Sequence, residues 1–321
     1  MVSWRSSRAA SGSGNVGTMK IGIVGTGWVG ASVAISTLHT GLARELLLCD
    51  VRPELAEGEA MDLAHGAAFY PTATVRAAPL EELVGCDAVV IAAGKGGTPG
   101  QSRLALAQVN AAIVTDLARR LAGLRGLLVI VTNPVDVLTQ LAVEASGLPP
   151  ARVLGTGTML DTARLRQVLG RELDLEPRSI HAQVVGEHGD SEVVLWSSAQ
   201  IAGVPLRVWP GWNAAREAAV ALEVRRAAYE IIQRKGATNH AIGLVTAALL
   251  RWALRGERRV LTVSRMHAGV DPDVDGVALS LPAIVGADGA TDVVWPPLDD
   301  VERAALHRSA EVLRSVRAAI G

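Results

Sequence analysis

Short, continuous apolar runs alternate with longer stretches of helical period through the first half of this chain. Lys20–Val24, Glu45–Cys49, Ala88–Ala93, Leu127–Val131 and Arg152–Leu154 are brief and dominated by Val, Ile, Leu and Ala. Runs of that kind read as strands buried on both faces. Between them, Ala31–Leu38, Glu54–His65, Leu104–Ala122 and Leu138–Ala145 read as helices. In the second of these, Leu55, Ala56, Met61, Leu63 and Ala64 fall mostly on one side. Strand and helix in alternation predict a doubly wound parallel sheet. Beyond Gly155 the pattern changes. A long helix opens there, followed by apolar runs at Val184-Val185 and Val193-Val194-Leu195. Amphipathic stretches follow at Trp212–Arg234 and Asn239–Leu254. Antiparallel strands are expected at Val260–Val263, Val277–Leu281 and Asp292–Trp295, and a last helix from Asp299 to about Arg317.

Glycine spacing adds chemistry to this pattern. Gly25-Thr26-Gly27-Trp28-Val29-Gly30 lies between the first strand and the first helix. In a G-x-G-x-x-G turn the first glycine permits a tight turn and the second lets backbone approach a pyrophosphate. The third lets helix and strand pack closely. The unpaired N–H groups at the helix start then face the phosphates. Gly25, Gly27, Val29 and Gly30 are therefore expected at a dinucleotide. The second strand ends at Asp50, about twenty positions after the last glycine, where an acid accepts hydrogen bonds from ribose hydroxyls and repels a 2′-phosphate. That selects NAD over NADP, unless Asp50 is only a strand-end turn residue. The fold class predicted is α/β: an N-terminal Rossmann sheet over 19–155 and a C-terminal α+β catalytic domain with antiparallel strands over 156–321. Residues 1–18, rich in Ser, Gly and Arg and free of acids, read as a disordered extension, as an upstream start before Met19, or as a transit peptide.

Two further strand ends carry polar loops. Gly94–Arg103 holds several glycines and a proline, with one arginine at its far end. It is expected to be a lid that delivers a cation on closure, or else a solvated loop. Thr132-Asn133-Pro134-Val135-Asp136 points the Asn133 amide into the same crevice. Asp161 and Arg164, three apart on the long helix, share a face. They form either an ordinary intrahelical pair or two separate tools, the acid for an imidazolium and the arginine for a carboxylate. Gly186-Glu187-His188-Gly189-Asp190 puts an imidazole between glycines at a strand end, able to exchange a proton near neutral pH. Alone it would be a solvated loop; beside the other motifs it is the expected acid/base.

Composition narrows the function without naming it. Hydrophobic residues are 49% and charged residues 20%, as in a globular protein, and the net charge of −1 gives no case for nucleic acid or an anionic membrane. No apolar run reaches the roughly 18–20 residues of a membrane helix. Cys49 and Cys86 lie in apolar surroundings without a CxxC pair, so two reduced thiols in a cytoplasmic protein, and no metal, are expected.

Taken together, these motifs make the chain similar to the L-lactate/malate dehydrogenase family, and to its bacterial L-lactate dehydrogenase branch, over nearly its whole length from Met19. The likeness rests on Gly25–Gly30, Thr132–Asp136, Asp161–Arg164, Gly186–Asp190 and Lys235–Thr238, in that order. It implies NAD as cofactor and a small 2-oxo acid, pyruvate, as substrate. It implies that His188 is the acid/base, that Asp161 orients it, and that Arg164 anchors the substrate carboxylate. Arg103 on the lid polarises the carbonyl, Thr238 shapes the pocket, Asn133 contacts substrate and cofactor, and Gly94 lines the cofactor. It also implies a homotetramer or homodimer, and fructose 1,6-bisphosphate as activator through Arg166 and His181, unless these are ordinary surface residues. One position departs from the family. Where lactate enzymes usually carry Gln and malate enzymes Arg, this chain has Gly97. A second substrate carboxylate would then lack its partner. Malate is disfavoured, with Lys95 a poor substitute, while a bulkier 2-oxo acid becomes admissible. Two rival classes remain: a nucleotide-binding protein without catalysis, which needs none of these residues together, and an NAD-dependent glycosidase, whose resemblance requires a Cys–His metal pair not found here.

Overall fold

The structure, a computed structural model, describes residues 19–96 and 103–321. Residues 1–18, Gly97 and the side chain of Arg103 lie outside what it describes. Strands β1 (Met19–Val24), β2 (Ala43–Cys49), β3 (Thr74–Ala77), β4 (Ala88–Ile91), β5 (Leu127–Ile130) and β6 (Val153–Gly155) alternate with helices α1 (Trp28–His39), α2 (Pro53–His65), α3 (Arg103–Arg120) and α4 (Val135–Ser146). The six strands are parallel in the order β3-β2-β1-β4-β5-β6. Strand order reverses beside β1, so the carboxyl ends of β1 and β4 part around a crevice. β3 has no signal of its own in the hydrophobic pattern: Thr74-Val75-Arg76-Ala77 is a short edge strand with no fully buried residue.

The second half runs through α5 (Met159–Leu173), β7 (Ile180–His181), β8 (Val184–Val185), β9 (Val193–Val194), β10 (Gln200–Ile201), β11 (Val204–Pro205), α6 (Ala214–Lys235), α7 (His240–Leu254), β12 (Arg259–Met266), β13 (Ala278–Gly286), β14 (Gly289–Val293) and α8 (Asp300–Ile320). β12 meets β6 antiparallel where Ser264 faces Gly155, and β13 and β14 follow outward. The antiparallel strands expected in the C-terminal part therefore extend the parallel sheet, giving nine strands in a row. α3, α4 and α8 cover one face with residues such as Val114, Leu138 and Leu306. α1, α2 and α7 cover the other with Val33, Ala56 and Leu250. A third apolar cluster, Leu165, Leu169, Val184, Ile201 and Val224, holds α5 and α6 against the short strands.

Candidate active site

At the nucleotide end, the glycines are fixed by what surrounds them. Gly25 has φ +90°, and a Cβ there would lie 2.5 Å from the backbone of Ala93. A Cβ on Gly30 would lie 1.8 Å from the Gly25 carbonyl oxygen. These two residues bring β1, β4 and α1 together. Gly27 differs: a Cβ would meet no atom of the described residues within 4 Å. The open space faces the start of α1, which has no side-chain cap among the described residues, leaving its first N–H groups for a phosphate. Val29 sits half-buried in the first turn of that helix.

Asp50 closes the other side. Its Oδ2 accepts from the Thr26 amide at 2.8 Å and hydroxyl at 3.2 Å, and its Oδ1 from the Arg52 amide at 3.0 Å. These bonds hold the carboxylate at the end of β2, against the glycine turn. A cavity of about 1150 Å³ opens there, lined by Gly25, Gly27, Asp50, Ala93 and Gly94 among others. A glycine cradle, a free helix start and a ribose-type acid around one cavity fit a dinucleotide.

The loops after β4 and β5 are tied by a residue that no sequence motif marks. Asn110, on α3 and 3% exposed, accepts from the Lys95 amide at 2.8 Å and donates to the Asn133 carbonyl at 2.9 Å. A Cβ on Gly94 would lie 2.5 Å from Thr132 and 3.2 Å from the Asn110 oxygen. Asn133 precedes a cis proline, and its Oδ1 accepts from the Val135 amide at 3.3 Å. That leaves its exposed NH₂ for a ligand.

The His188 loop is pinned on several sides and is not the solvated loop that its glycines alone suggest. Gly186 has φ +84°, and a Cβ there would lie 2.7 Å from the Ser309 hydroxyl. Its amide and carbonyl pair with Ser280 of β13. The Glu187 amide donates to Ser309 of α8 at 2.7 Å, and the His188 amide to Asp136 Oδ2 of α4 at 2.7 Å. Tyr229 of α6 donates to Asp190 Oδ1 at 2.8 Å. Asp136, 1% exposed, is another residue whose part here was not foreseen. Its only advance signal was its place in the Asn-Pro-Val-Asp turn.

His188 Nδ1 lies 2.5 Å from Asp161 Oδ2, while Arg164 Nη1 lies 2.8 Å from Asp161 Oδ1. Asp161 therefore serves the imidazole and the guanidinium at once; the pair on α5 is both an intrahelical bridge and part of the site. The His188 side chain is 22% exposed, which leaves one edge open. Burial alone would lower the His188 pKa, but the Asp161 carboxylate outweighs it, with help from Asp136, and raises it to about 9. Burial works upward on Asp161, yet His188 and then Arg164 hold its carboxyl below the usual range. Asp136 is pushed up to about 6 by burial, against the pull of the Ser264 hydroxyl and the His188 amide.

The remaining foreseen residues are carried on other elements. Arg103 opens α3, and Thr238 is half-buried in the link between α6 and α7. Arg166 is half-buried on α5 and donates to the Ala182 carbonyl at 3.0 Å, next to His181, which is exposed on β7. Both cysteines are free thiols. Asp271, Asp273 and His307 bring ligand-type atoms within 4.8 Å of one another on the β12–β13 loop and α8.

A doubly wound sheet with a dinucleotide cradle, and a carboxylate–imidazole pair beside an arginine, define a nicotinamide-dependent dehydrogenase. The chain belongs to the lactate/malate dehydrogenase family: residues 19–155 match the model of its NAD-binding domain and residues 158–319 that of its alpha/beta C-terminal domain. It is 45% identical over 313 residues to the L-lactate dehydrogenase of Thermus aquaticus, covering 94% of this chain and 100% of that one. With the L-lactate dehydrogenase of Salinibacter ruber it shares 44% identity over 305 residues, 93% of this chain and 96% of the other. The structure matches the ligand-bound minor L-lactate dehydrogenase of Enterococcus mundtii with a TM-score of 0.90 at 37% identity, over 95% of this chain and 99% of that one. It is an NAD-dependent oxidoreductase.

Proposed function

We propose that the chain is an NAD-dependent L-lactate dehydrogenase that interconverts pyruvate and (S)-lactate. The observation that carries this reading is the Asp161–His188 contact at 2.5 Å with Arg164 on the second oxygen of the same carboxylate. Bound nicotinamide supplies or accepts the hydride. With Nδ1 turned to Asp161, Nε2 is the His188 atom left to exchange a proton with substrate. During reduction, negative charge builds on the carbonyl oxygen, and the Nε2 proton meets it there. Arg164 holds the substrate carboxylate in two parallel hydrogen bonds, which fixes the carbonyl beside His188. Arg103 polarises that carbonyl when the glycine-rich loop closes, and Thr238 and Asn133 shape the pocket.

Pyruvate is favoured over oxaloacetate because Gly97 offers no cation to a second carboxylate. The relatives described above, all L-lactate dehydrogenases by name, support the same choice. Initial rates of NADH oxidation with pyruvate, oxaloacetate and 2-oxoisocaproate test it. A pyruvate preference of about tenfold or more, worth about 1.4 kcal/mol in the transition state, is expected. Preference for oxaloacetate would mean that Lys95 or another cation takes the extra charge, and would overturn the reading.

Assembly and regulation follow the same line. The enzyme is a cytoplasmic homotetramer or homodimer. Exposed Trp28 and Ile35 of α1 line a shallow cavity with the start of α7, which supports packing of a second copy there. Among the described residues no helix is long and apolar enough to cross a membrane. Fructose 1,6-bisphosphate acts through Arg166 and His181, supported by the bond from Arg166 to the residue after His181. The same rates, repeated with the bisphosphate, should show a lower apparent KM for pyruvate; no change at millimolar concentration removes this part.

A further inference from the structure

The loop that carries His188 runs on through Gly189, Asp190 and Ser191 to Glu192, just before β9. Glu192 is 6% exposed, its amide donates to the Gly189 carbonyl at 3.2 Å, and its Oε1 is buried without a hydrogen-bonding partner among the described residues. An ionised carboxylate in that position is costly. Four charged groups act on it: Asp161 and Arg164 from α5, His188 from its own loop, and Arg225 from α6. The Arg225 Nε is also buried without a partner among the described residues. Burial and the nearby Asp161 favour a neutral carboxyl, while Arg225, His188 and Arg164 favour a charged one.

We propose that Glu192 is a positioning residue that acts through His188: its buried, unpartnered carboxyl, carried on the same loop, sets how firmly His188 holds its proton. The balance of the four neighbours agrees, pushing the Glu192 carboxyl up to about 8. A negative charge beside an imidazolium raises its hold on the proton, so the two groups titrate as a pair. Reduction, which uses charged His188, then persists further into alkali. Oxidation, which needs neutral His188, is delayed by the same amount. This inference rests on His188 as the acid/base of the proposed dehydrogenase.

The test compares the parent with Glu192→Gln and His188→Gln, each labelled with [¹³C]histidine. Imidazole resonances and the rate of pyruvate reduction are followed across the alkaline range. The His188 resonance is identified by its loss in His188→Gln. In Glu192→Gln its midpoint is expected to fall by about half to one unit, the effect of one charge across a few ångströms at protein-like dielectric. The ratio of parent to Glu192→Gln rate should grow with pH, by about three- to tenfold between the acid and alkaline limits. An unmoved midpoint, or a ratio constant at every pH, overturns the proposal. If Glu192→Gln does not fold, the infrared carbonyl stretch of a protonated carboxyl in the parent carries the test. A band lost as pH rises through about 8 is expected, and absence of such a band is the contrary result. If His188→Gln stays active, the assignment of His188 falls instead. If it is inactive and Glu192→Gln overlays the parent, only the Glu192 proposal falls.

Discussion

The two ends of the crevice are built by opposite means. The nucleotide end is made of absences: Gly25 and Gly30 leave room for neighbouring backbone, and Gly27 leaves room for a ligand. The substrate end is made of charges drawn out of water: Asp136, Asp161, Arg164 and His188 on α4, α5 and one loop, with every carboxylate oxygen of Asp161 committed. The first design lets an uncapped helix start do the binding and asks little of electrostatics. The second accepts burial of charge, which is tolerable only because each group has a partner. Substitutions at the first end should therefore act through space, and at the second through proton affinity and charge.

The largest expected effect separates the two ends. His188→Gln should lower kcat/KM for pyruvate by about 10²–10⁴-fold, the usual share of a general acid. NADH affinity, read by fluorescence titration, should stay within about twofold, since a tenfold change would need about 1.4 kcal/mol at the other end. Comparable loss of both would show that the ends are not independent.

Next comes Arg164→Lys. A compact ammonium cannot reproduce the two-pronged grip, so KM for pyruvate should rise by about ten- to a hundredfold, with kcat less affected. Equal KM values for the two proteins would place the substrate carboxylate elsewhere. A glycine pair sharpens the contrast at the nucleotide end. Gly27→Ala puts a methyl group where no atom of the described residues lies, so NADH should bind about tenfold more weakly while Tm moves by less than about 2 °C. Gly30→Ala forces a Cβ into the Gly25 carbonyl, and Tm should fall by more than about 5 °C. Thermal melts with and without NADH distinguish the two outcomes.

The smallest effect is on stability. The His188 pKa is raised to about 9 in the folded protein, above its ordinary value of about 6.5. Its ion pair with Asp161 thus contributes fully below about pH 6.5 and is lost as pH rises through about 9. Denaturant midpoints should decline over that window in the parent and hold flatter in His188→Gln.

Much of the architecture was legible in the sequence because buried parallel strands are continuous apolar runs, and Gly25–Gly30 and Asp50 stand at fixed intervals from them. β3 was not, since an edge strand half open to solvent needs no such run. The two-residue strands β7, β10 and β11 are too short to show a period at all. At the site, His188, Asp161 and Arg164 could be read because each has a side chain suited to one task and a recognisable spacing. Asn110 and Asp136 could not. Their work is done through bonds to backbone of Lys95, Asn133 and His188, segments distant in the chain. The continuity of the sheet across β6 and β12 was equally hidden, because it depends on one contact between Gly155 and Ser264.

The measurement that bears most directly on the charged end is the pH profile of pyruvate reduction in Asp161→Asn. If Asp161 holds the proton on His188, the alkaline limb should move from about 9 in the parent toward the ordinary histidine value of about 6.5, with a large loss of rate at neutral pH. A limb that stays where the parent has it would contradict that account, however slow the variant.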